Sequence, residues 1–339
     1  MKTALVILNW NTKDYLRAFL PALLHSCPEG AFVVVADSGS EDGSMEMMAS
    51  GFPEVKTLPL GANYGFTGGY NRALDGLDAD YYVLINSDIL VEDGWLEPLL
   101  DWMQSHPECG ICGPKLHALL KSDNGYEKTG RFEYAGAAGG LLDRFGFPYC
   151  RGRIRKKVED DKGQYDSPSD VLWVTGACLM IRSSLWKILC GLDDRFFAHM
   201  EEIDLCWRAQ LAGWKVTCVP ASTVWHLGGG TLAPDSPFKL QLNFRNNLLL
   251  LENNLADTYL TRGCKMPKAR RKAKRLIRFR KVLDICAMLA YFCTGKWDYA
   301  KAVSSAHREY SELEMEAPLR PLPAVGARVE GLSRKCILL

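Results

Sequence analysis

Short apolar runs alternating with helical repeats constrain this 339-residue chain more than any other feature. Residues 5–8, 32–36, 55–58 and 81–85 read as strands buried on both faces, and residues 14–24, 44–50, 69–77 and 95–105 carry apolar side chains at helical spacing. Strand-helix-strand alternation predicts an α/β fold with a mostly parallel, Rossmann-like sheet and right-handed crossovers between helical layers. Ligands of such sheets bind at the carboxyl ends of the strands, where the strand order reverses. Polar residues stand at those ends: Asn9 and Asn11 after the first strand, Asp37 after the second, Asp88 after the fourth.

Beyond this half the pattern changes. Residues 115–170 are rich in Gly and Tyr with mixed charge, and read as an inserted hairpin or mobile loop. Strands are expected at 171–175 and 178–181, then a helix capped by Ser183. A further helix over 201–212 ends at Gly213, a residue able to take the left-handed closing conformation. The chain after Pro237 reads as helical to 316, and the Pro-, Gly- and Arg-rich tail 317–339 as poorly ordered. The expected division is a domain over 1–236, a helical extension over 237–316 and the tail.

Charge is unevenly placed. The net charge is +1, but residues 265–281 hold ten Lys or Arg and no acid, so the remainder carries −9. A basic helix followed by a short apolar stretch suits the surface of an anionic bilayer as well as a solvated face. No recognised motif accompanies the charge, which argues against nucleic acid as a partner. No apolar run of 18 residues is present, so no spanning helix is expected. The twelve cysteines lack regular spacing and read as reduced thiols of a cytosolic protein. The single Cys109-Gly110-Ile111-Cys112 reads as strand rather than zinc site, because no second pair is suitably spaced.

Four segments carry chemistry. Asp37-Ser38-Gly39-Ser40-Glu41-Asp42-Gly43-Ser44 leaves a buried strand with a carboxylate able to accept from a ribose or base, or serves only as a helix-capping turn. The glycine-rich stretch 61–71 opens a helix, whose free N–H groups favour an anion, although it has neither P-loop nor dinucleotide-fold spacing. Asn86-Ser87-Asp88 suits a hard divalent cation shared with a diphosphate, and His226, ahead of Gly228-Gly229-Gly230-Thr231, is the candidate second ligand. Glu201, Glu202 and Asp204 crowd one helix N-terminus, where the dipole favours them but where one of them can also act as general base. Asp204 and Arg208 are spaced to pair. The remaining histidines, His25, His106, His117, His199 and His307, show no comparable neighbours.

Taken in order, 6–11, 37–44, 63–66, 86–88, 175–177, 201–204 and 226–231 resemble the family 2 inverting glycosyltransferases of GT-A fold, in particular bacterial rhamnosyltransferase-like enzymes of surface polysaccharide synthesis. The resemblance covers about residues 3–251. It implies that Asn9, Asn11, Asp37, Ser38, Asn63, Gly65 and Asn86 face the nucleotide, and that Trp173, Gly176 and Ala177 face donor or acceptor. It implies that Asp88 and His226 hold Mg²⁺ or Mn²⁺ on the diphosphate. The family's acidic pair falls on Glu201 and Glu202, whose second member commonly supplies the base; here it is Glu rather than the more usual Asp. Asn86 replaces the first acid of the family's DxD motif. The expected partners are a nucleotide-sugar donor and a glycan or lipid-linked acceptor, in a cytoplasmic enzyme with peripheral contact to the inner membrane face. The competing readings are a sugar-nucleotide nucleotidyltransferase and a non-catalytic carbohydrate-binding scaffold.

Overall fold

The computed structural model describes residues 1–154, 157–228, 236–313, 323–324 and 326–333. The first four strands, β1 (Thr3–Asn9), β2 (Ala31–Asp37), β3 (Lys56–Pro59) and β4 (Tyr81–Ile85), are all parallel, in the order β3-β2-β1-β4. Their connections include α1 (Lys13–His25), α2 (Ser44–Gly51) and α3 (Gly65–Leu74). β1 is flanked by β2 on one side and β4 on the other, so the strand order reverses there and opens a crevice at the carboxyl ends. The apolar run of β1 from Ala4 to Leu8 and the whole of β4 lie in the core, with Leu5, Val83 and Leu84 at 0% exposure, because helices cover both sheet faces.

Past β4 the chain forms β5 (Ile89–Leu90), α4 (Glu97–Ser105) and the hairpin β6 (Cys109–Ser122)–β7 (Gly125–Phe132). A small meander follows: β8 (Gly140–Leu142), β9 (Pro148–Cys150), β10 (Arg153–Ile154) and β11 (Lys157–Val158). β12 (Ser169–Asp170), β13 (Cys178–Arg182) and β14 (Lys215–His226) return to the main sheet, β13 antiparallel between β4 and β6. Between β13 and β14 lie α5 (Ser183–Ile188) and α6 (Glu201–Leu211); after β14 come α7 (Pro237–Thr261), α8 (Met266–Cys293) and α9 (Trp297–Leu313). α7 belongs to the main core, with Leu248 to Leu251 all at 0% exposure. The Cys109–Cys112 segment is strand, and every cysteine among the described residues is a free thiol. No described helix is long and apolar enough to cross a membrane.

Several expectations are corrected. α3 begins at Gly65 rather than Gly69, because the Asn63 side chain accepts from Gly65 N at 2.8 Å and starts the helix early. Residues 171–175 form no strand beyond a bridge from Trp173 to Gly140; Gln210 Nε2 donates to the Val171 and Leu172 carbonyls instead. Ser183 is the first residue of α5 and caps nothing. Of the two readings of the stretch after Lys115, the hairpin holds at its start, where β6 continues to Ser122 with β7 as partner. Within the expected disordered tail, residues 326–333 lie against the body: Leu142 N donates to Gly331 O, Ser333 N to Leu142 O, and Glu330 N to Gln210 Oε1.

Candidate active site

The carboxyl ends of β1 and β2 meet through side chains. Asn9 Nδ2 donates to Asp37 Oδ1 at 2.7 Å and to Ser40 Oγ at 3.0 Å, while Asn9 Oδ1 accepts from Thr12. Asp37 Oδ2 accepts from the backbone of Gly39 and Ser40, and Asn11, held at φ 56°, accepts from Glu41 N. These bonds build the rim of the crevice. Asn9, at 0% exposure, ties Asp37, Ser40 and Thr12 together beneath this rim. Ser38 is also enclosed, and its hydroxyl has no protein partner.

At the end of β4, Asn86 N donates to Ala177 O at 2.9 Å, joining the strand to segment 175–177. Two residues on, Asp88 meets β14. His226 Nε2 stands 3.2 Å from Asp88 Oδ1, and its Nδ1 stands 3.6 Å from Glu133 Oε1. Burial alone would oppose charge on this imidazole, but Asp88 and then Glu133 overcome it and raise the pKa to about 10. Burial would likewise raise Asp88, yet the contact with His226 holds it below its usual range. Glu133 also accepts from Ala135 N at 2.5 Å, which fixes its carboxylate behind the ring.

No cluster of three or more ligating side chains exists among the described residues. A cation at this place would take Asp88 and His226 from the protein, displacing the proton that the two carboxylates hold on the imidazole, and complete its shell with diphosphate oxygens and water. One carboxylate, one imidazole and substrate oxygens fit Mg²⁺ or Mn²⁺. Gly228 adds a backbone donor to Asp88, while Gly229, Gly230 and Thr231 of the expected glycine run lie outside the described residues.

The third element is the N-terminus of α6, reached through a turn in which Phe197, His199 and Met200 all take positive φ (62°, 71° and 70°). Non-glycine residues pay strain there, so the surroundings must impose the conformation. α7 does so. Asn246 Nδ2 donates to the carbonyls of Phe196, Ala198 and His199 at 2.7–2.9 Å, and Arg245 Nη2 to those of Arg195 and Phe196. The result aims two acids differently. Glu201 is 4% exposed, and burial followed by repulsion from Glu202 lifts it well above the ordinary carboxylate range. Glu202 has an enclosed Oε2 with no partner; burial raises it to about 7, tempered by nearby backbone donors including Gly176. Asp204 is different. At 0% exposure it receives Arg208 Nε at 2.6 Å, Asn253 at 3.0 Å and Asn254 at 2.8 Å, so it is an anchor inside the fold and not a reacting group.

These pieces form an open ring. From Glu202 it runs through Gly176, where a built Cβ would stand 3.4 Å from Glu202 Cβ and 3.2 Å from Phe66, to Ala177, whose carbonyl accepts from Asn86; two residues on, Asp88 meets His226, which Glu133 backs. Gly65, at φ 70°, joins the ring because any Cβ there would strike Phe197 at 2.5 Å. Trp173 is not brought in as expected: its indole covers Gly140 and its N–H donates to Leu141 O at 3.2 Å, making it floor. Glu133 and Asn246 escaped the sequence reading, which set His199 aside. His199, half-buried with an enclosed, unpartnered Nε2, is pushed down to about 4 by burial of its ring and then by Lys239. His117 and His307 also have acid partners, Asp161 at 2.8 Å and Asp284 at 3.2 Å. A separate cavity of about 800 Å³, lined by Asp143, Tyr259, Arg262 and Arg328 among others, includes none of the ring.

The fold is of the GT-A type. It is similar to a crystal structure of GalNAc-T7 with UDP, GalNAc and Mn²⁺ (TM-score 0.59, 14% identity, covering 85% of this chain and 57% of that one). It is also similar to S. aureus TarS 1–349 in complex with UDP-GlcNAc (TM-score 0.52, 12% identity, 92% of each chain). The model of glycosyl transferase family 2 matches residues 4–187, and the chain belongs to that family. Among its relatives, the N-acetylglucosaminyl-diphospho-decaprenol L-rhamnosyltransferase of Mycobacterium tuberculosis is 27% identical over 73% of this chain and 82% of that protein. The rhamnosyltransferase WbbL of Escherichia coli K12 is 22% identical over 66% of this chain and 82% of that protein.

Proposed function

We propose that this glycosyltransferase moves a sugar, rhamnose by likeness to its relatives, from a nucleoside-diphosphate donor to a hydroxyl of a lipid-linked glycan. The transfer inverts the anomeric centre and serves surface polysaccharide synthesis. The observation that carries the reading is Glu202: a half-buried carboxylate with backbone donors on one side and an enclosed, unpartnered Oε2, raised by burial to about 7, beside Gly176 on the same ring as Asp88 and His226. A carboxylate so placed is poised to accept a proton at neutral pH.

In this mechanism Glu202 takes the proton of the acceptor hydroxyl as the oxygen attacks the anomeric carbon, and no covalent enzyme intermediate is needed. Glu201, held protonated by burial and by Glu202, keeps the pair at a single charge. Asp204 holds α6 in place, and Asn246 holds the turn that presents Glu202. Asp37, Ser38 and Asn11 form the nucleotide side, with Asn63, Gly65 and Asn86 along the diphosphate approach, and Gly176 and Ala177 leave room where donor and acceptor meet. Asp88 and His226 would hold Mg²⁺ or Mn²⁺, with Glu133 behind the imidazole. Such an ion supplies stabilisation of charge on the departing diphosphate.

Residues 1–236 carry the chemistry in this reading, and the helices α7 to α9 form an extension that braces the α6 turn and faces the membrane. The enzyme works on the cytoplasmic side, attached peripherally to the inner face of the bilayer. The testing experiment supplies thymidine diphosphate-rhamnose and an N-acetylglucosaminyl-diphospho-lipid with Mn²⁺ and follows products. Release of nucleoside diphosphate with a glycosylated lipid is the expected result. Pyrophosphate released from a nucleoside triphosphate would indicate nucleotidyl transfer, and binding of sugar without any turnover would indicate a scaffold.

A further inference from the structure

α8 packs against α7 and α9 and buries Ala269, Ala273, Ile277, Arg280 and Asp284. The opposite face carries a second repeat. Lys268, Arg271, Arg275 and Arg278 are exposed, and the same alternating step of three and four residues continues to Val282, Ile285, Leu289 and Phe292. These last four are 54%, 43%, 53% and 52% exposed. One stripe, roughly 36 Å long at the helical rise and drifting about 20° per heptad around the helix, is thus basic over its first half and apolar over its second. Trp297, 54% exposed and 4.5 Å from the Phe292 ring, extends the apolar end.

We infer that this outer face of α8 is a docking surface for an anionic bilayer, with Arg271, Arg275 and Arg278 on the headgroup phosphates and Val282, Leu289 and Phe292 in the interfacial layer. The inference deepens the membrane-side reading proposed above and rests on it for its purpose. Charge and apolarity select the occupant together. A second copy would set Arg against Arg if parallel, and Arg against Val or Leu if antiparallel. A nucleic acid would match the cations and leave four large apolar side chains in water. A bilayer interface offers phosphate and hydrocarbon on one plane, which fits both halves of the stripe. The long Arg stems let the basic half reach phosphate while the helix lies flat.

The test uses the full chain in sedimentation with vesicles of phosphatidylcholine alone or mixed with phosphatidylglycerol. Binding is expected only to the mixed vesicles, weakening with salt. Arg271→Gln with Arg275→Gln should lower the partition coefficient about 30-fold, at about fivefold per cation. Leu289→Asn with Phe292→Asn should weaken binding to the same vesicles, with circular dichroism confirming retained helix in both variants. Absence of wild-type binding to the mixed vesicles, equal binding by the Arg variants, or a concentration-dependent dimer abolished by Leu289→Asn with Phe292→Asn would overturn the inference. Donor turnover in vesicle-free buffer should be unchanged in all variants. Docking without any wild-type turnover would remove the transfer reading and leave this surface standing, whereas turnover without docking would do the reverse.

Discussion

His226 Nε2 lies 3.2 Å from Asp88 Oδ1, so the far end of β14 and the residue just past β4 meet inside the crevice. The contact exists because β14 pairs with β5, His226 opposite Ile89, immediately after Asp88. A strand at one side of the sheet thereby delivers an imidazole to the switch point formed by another.

Glu133 stands behind that imidazole at 3.6 Å. At that distance Glu133 acts on the ring by charge rather than by a hydrogen bond, and carboxylates behind a ligating imidazole typically account for 10- to 100-fold in metal affinity. Glu133→Gln should accordingly weaken Mn²⁺ binding about tenfold or more, measured by electron paramagnetic resonance, with little change in melting temperature. Wild-type affinity in that variant would show that Glu133 only caps its own loop.

Asp204 and Arg208 are a buried pair joined at 2.6 Å, with Arg208 also donating to Leu189 O and Gly191 O. Asp204→Asn leaves a cation enclosed without its counter-charge, and should cost about 3 kcal/mol of stability in denaturant unfolding. An unaltered unfolding midpoint would mean the pair is dispensable to the fold.

Gly65→Ala should be destabilising beyond its backbone cost of about 1 kcal/mol, because the new methyl meets Phe197 at 2.5 Å at a φ of 70°. Thermal melting reads the loss, and turnover should fall with it as the α6 turn is displaced. A variant as stable and active as wild type would show that Phe197 moves aside freely.

Glu202 retains its proton to about pH 7 in the folded chain but only to its ordinary 4.5 when unfolded. The folded state binds more protons across that window, so this group's contribution makes stability fall as pH rises from 4.5 through 7. Glu202→Gln removes the penalty. It should stabilise the protein by roughly 3 kcal/mol at pH 8 and hardly at all at pH 4, read from unfolding at both values. Equal effects at the two values would mean that the carboxyl titrates normally.

The sheet was legible because β1, β2 and β4 are apolar on both faces, a pattern that few other structures accept. Asp88 and His226 were legible as ends of such strands. Other residues were not, for physical reasons. A polar residue at a strand end looks the same whether it faces a ligand or pins a loop, so the part Asn9 plays in tying Asp37, Ser40 and Thr12 together could not be read from its place. Glu133 follows β7, whose exposed face is polar and hides the strand, and nothing local separates it from a solvated acid. The ordering of 326–333 rests on backbone bonds to Leu142 and Gln210, to which composition is blind.

The most direct measurement is transfer and donor binding in Glu202→Gln. The carboxamide keeps the shape but cannot take a proton, so transfer should be abolished while the donor dissociation constant, by calorimetry, stays within about threefold of wild type. In the wild type, transfer should rise with pH to a plateau above about 7. Wild-type turnover in Glu202→Gln would contradict the account.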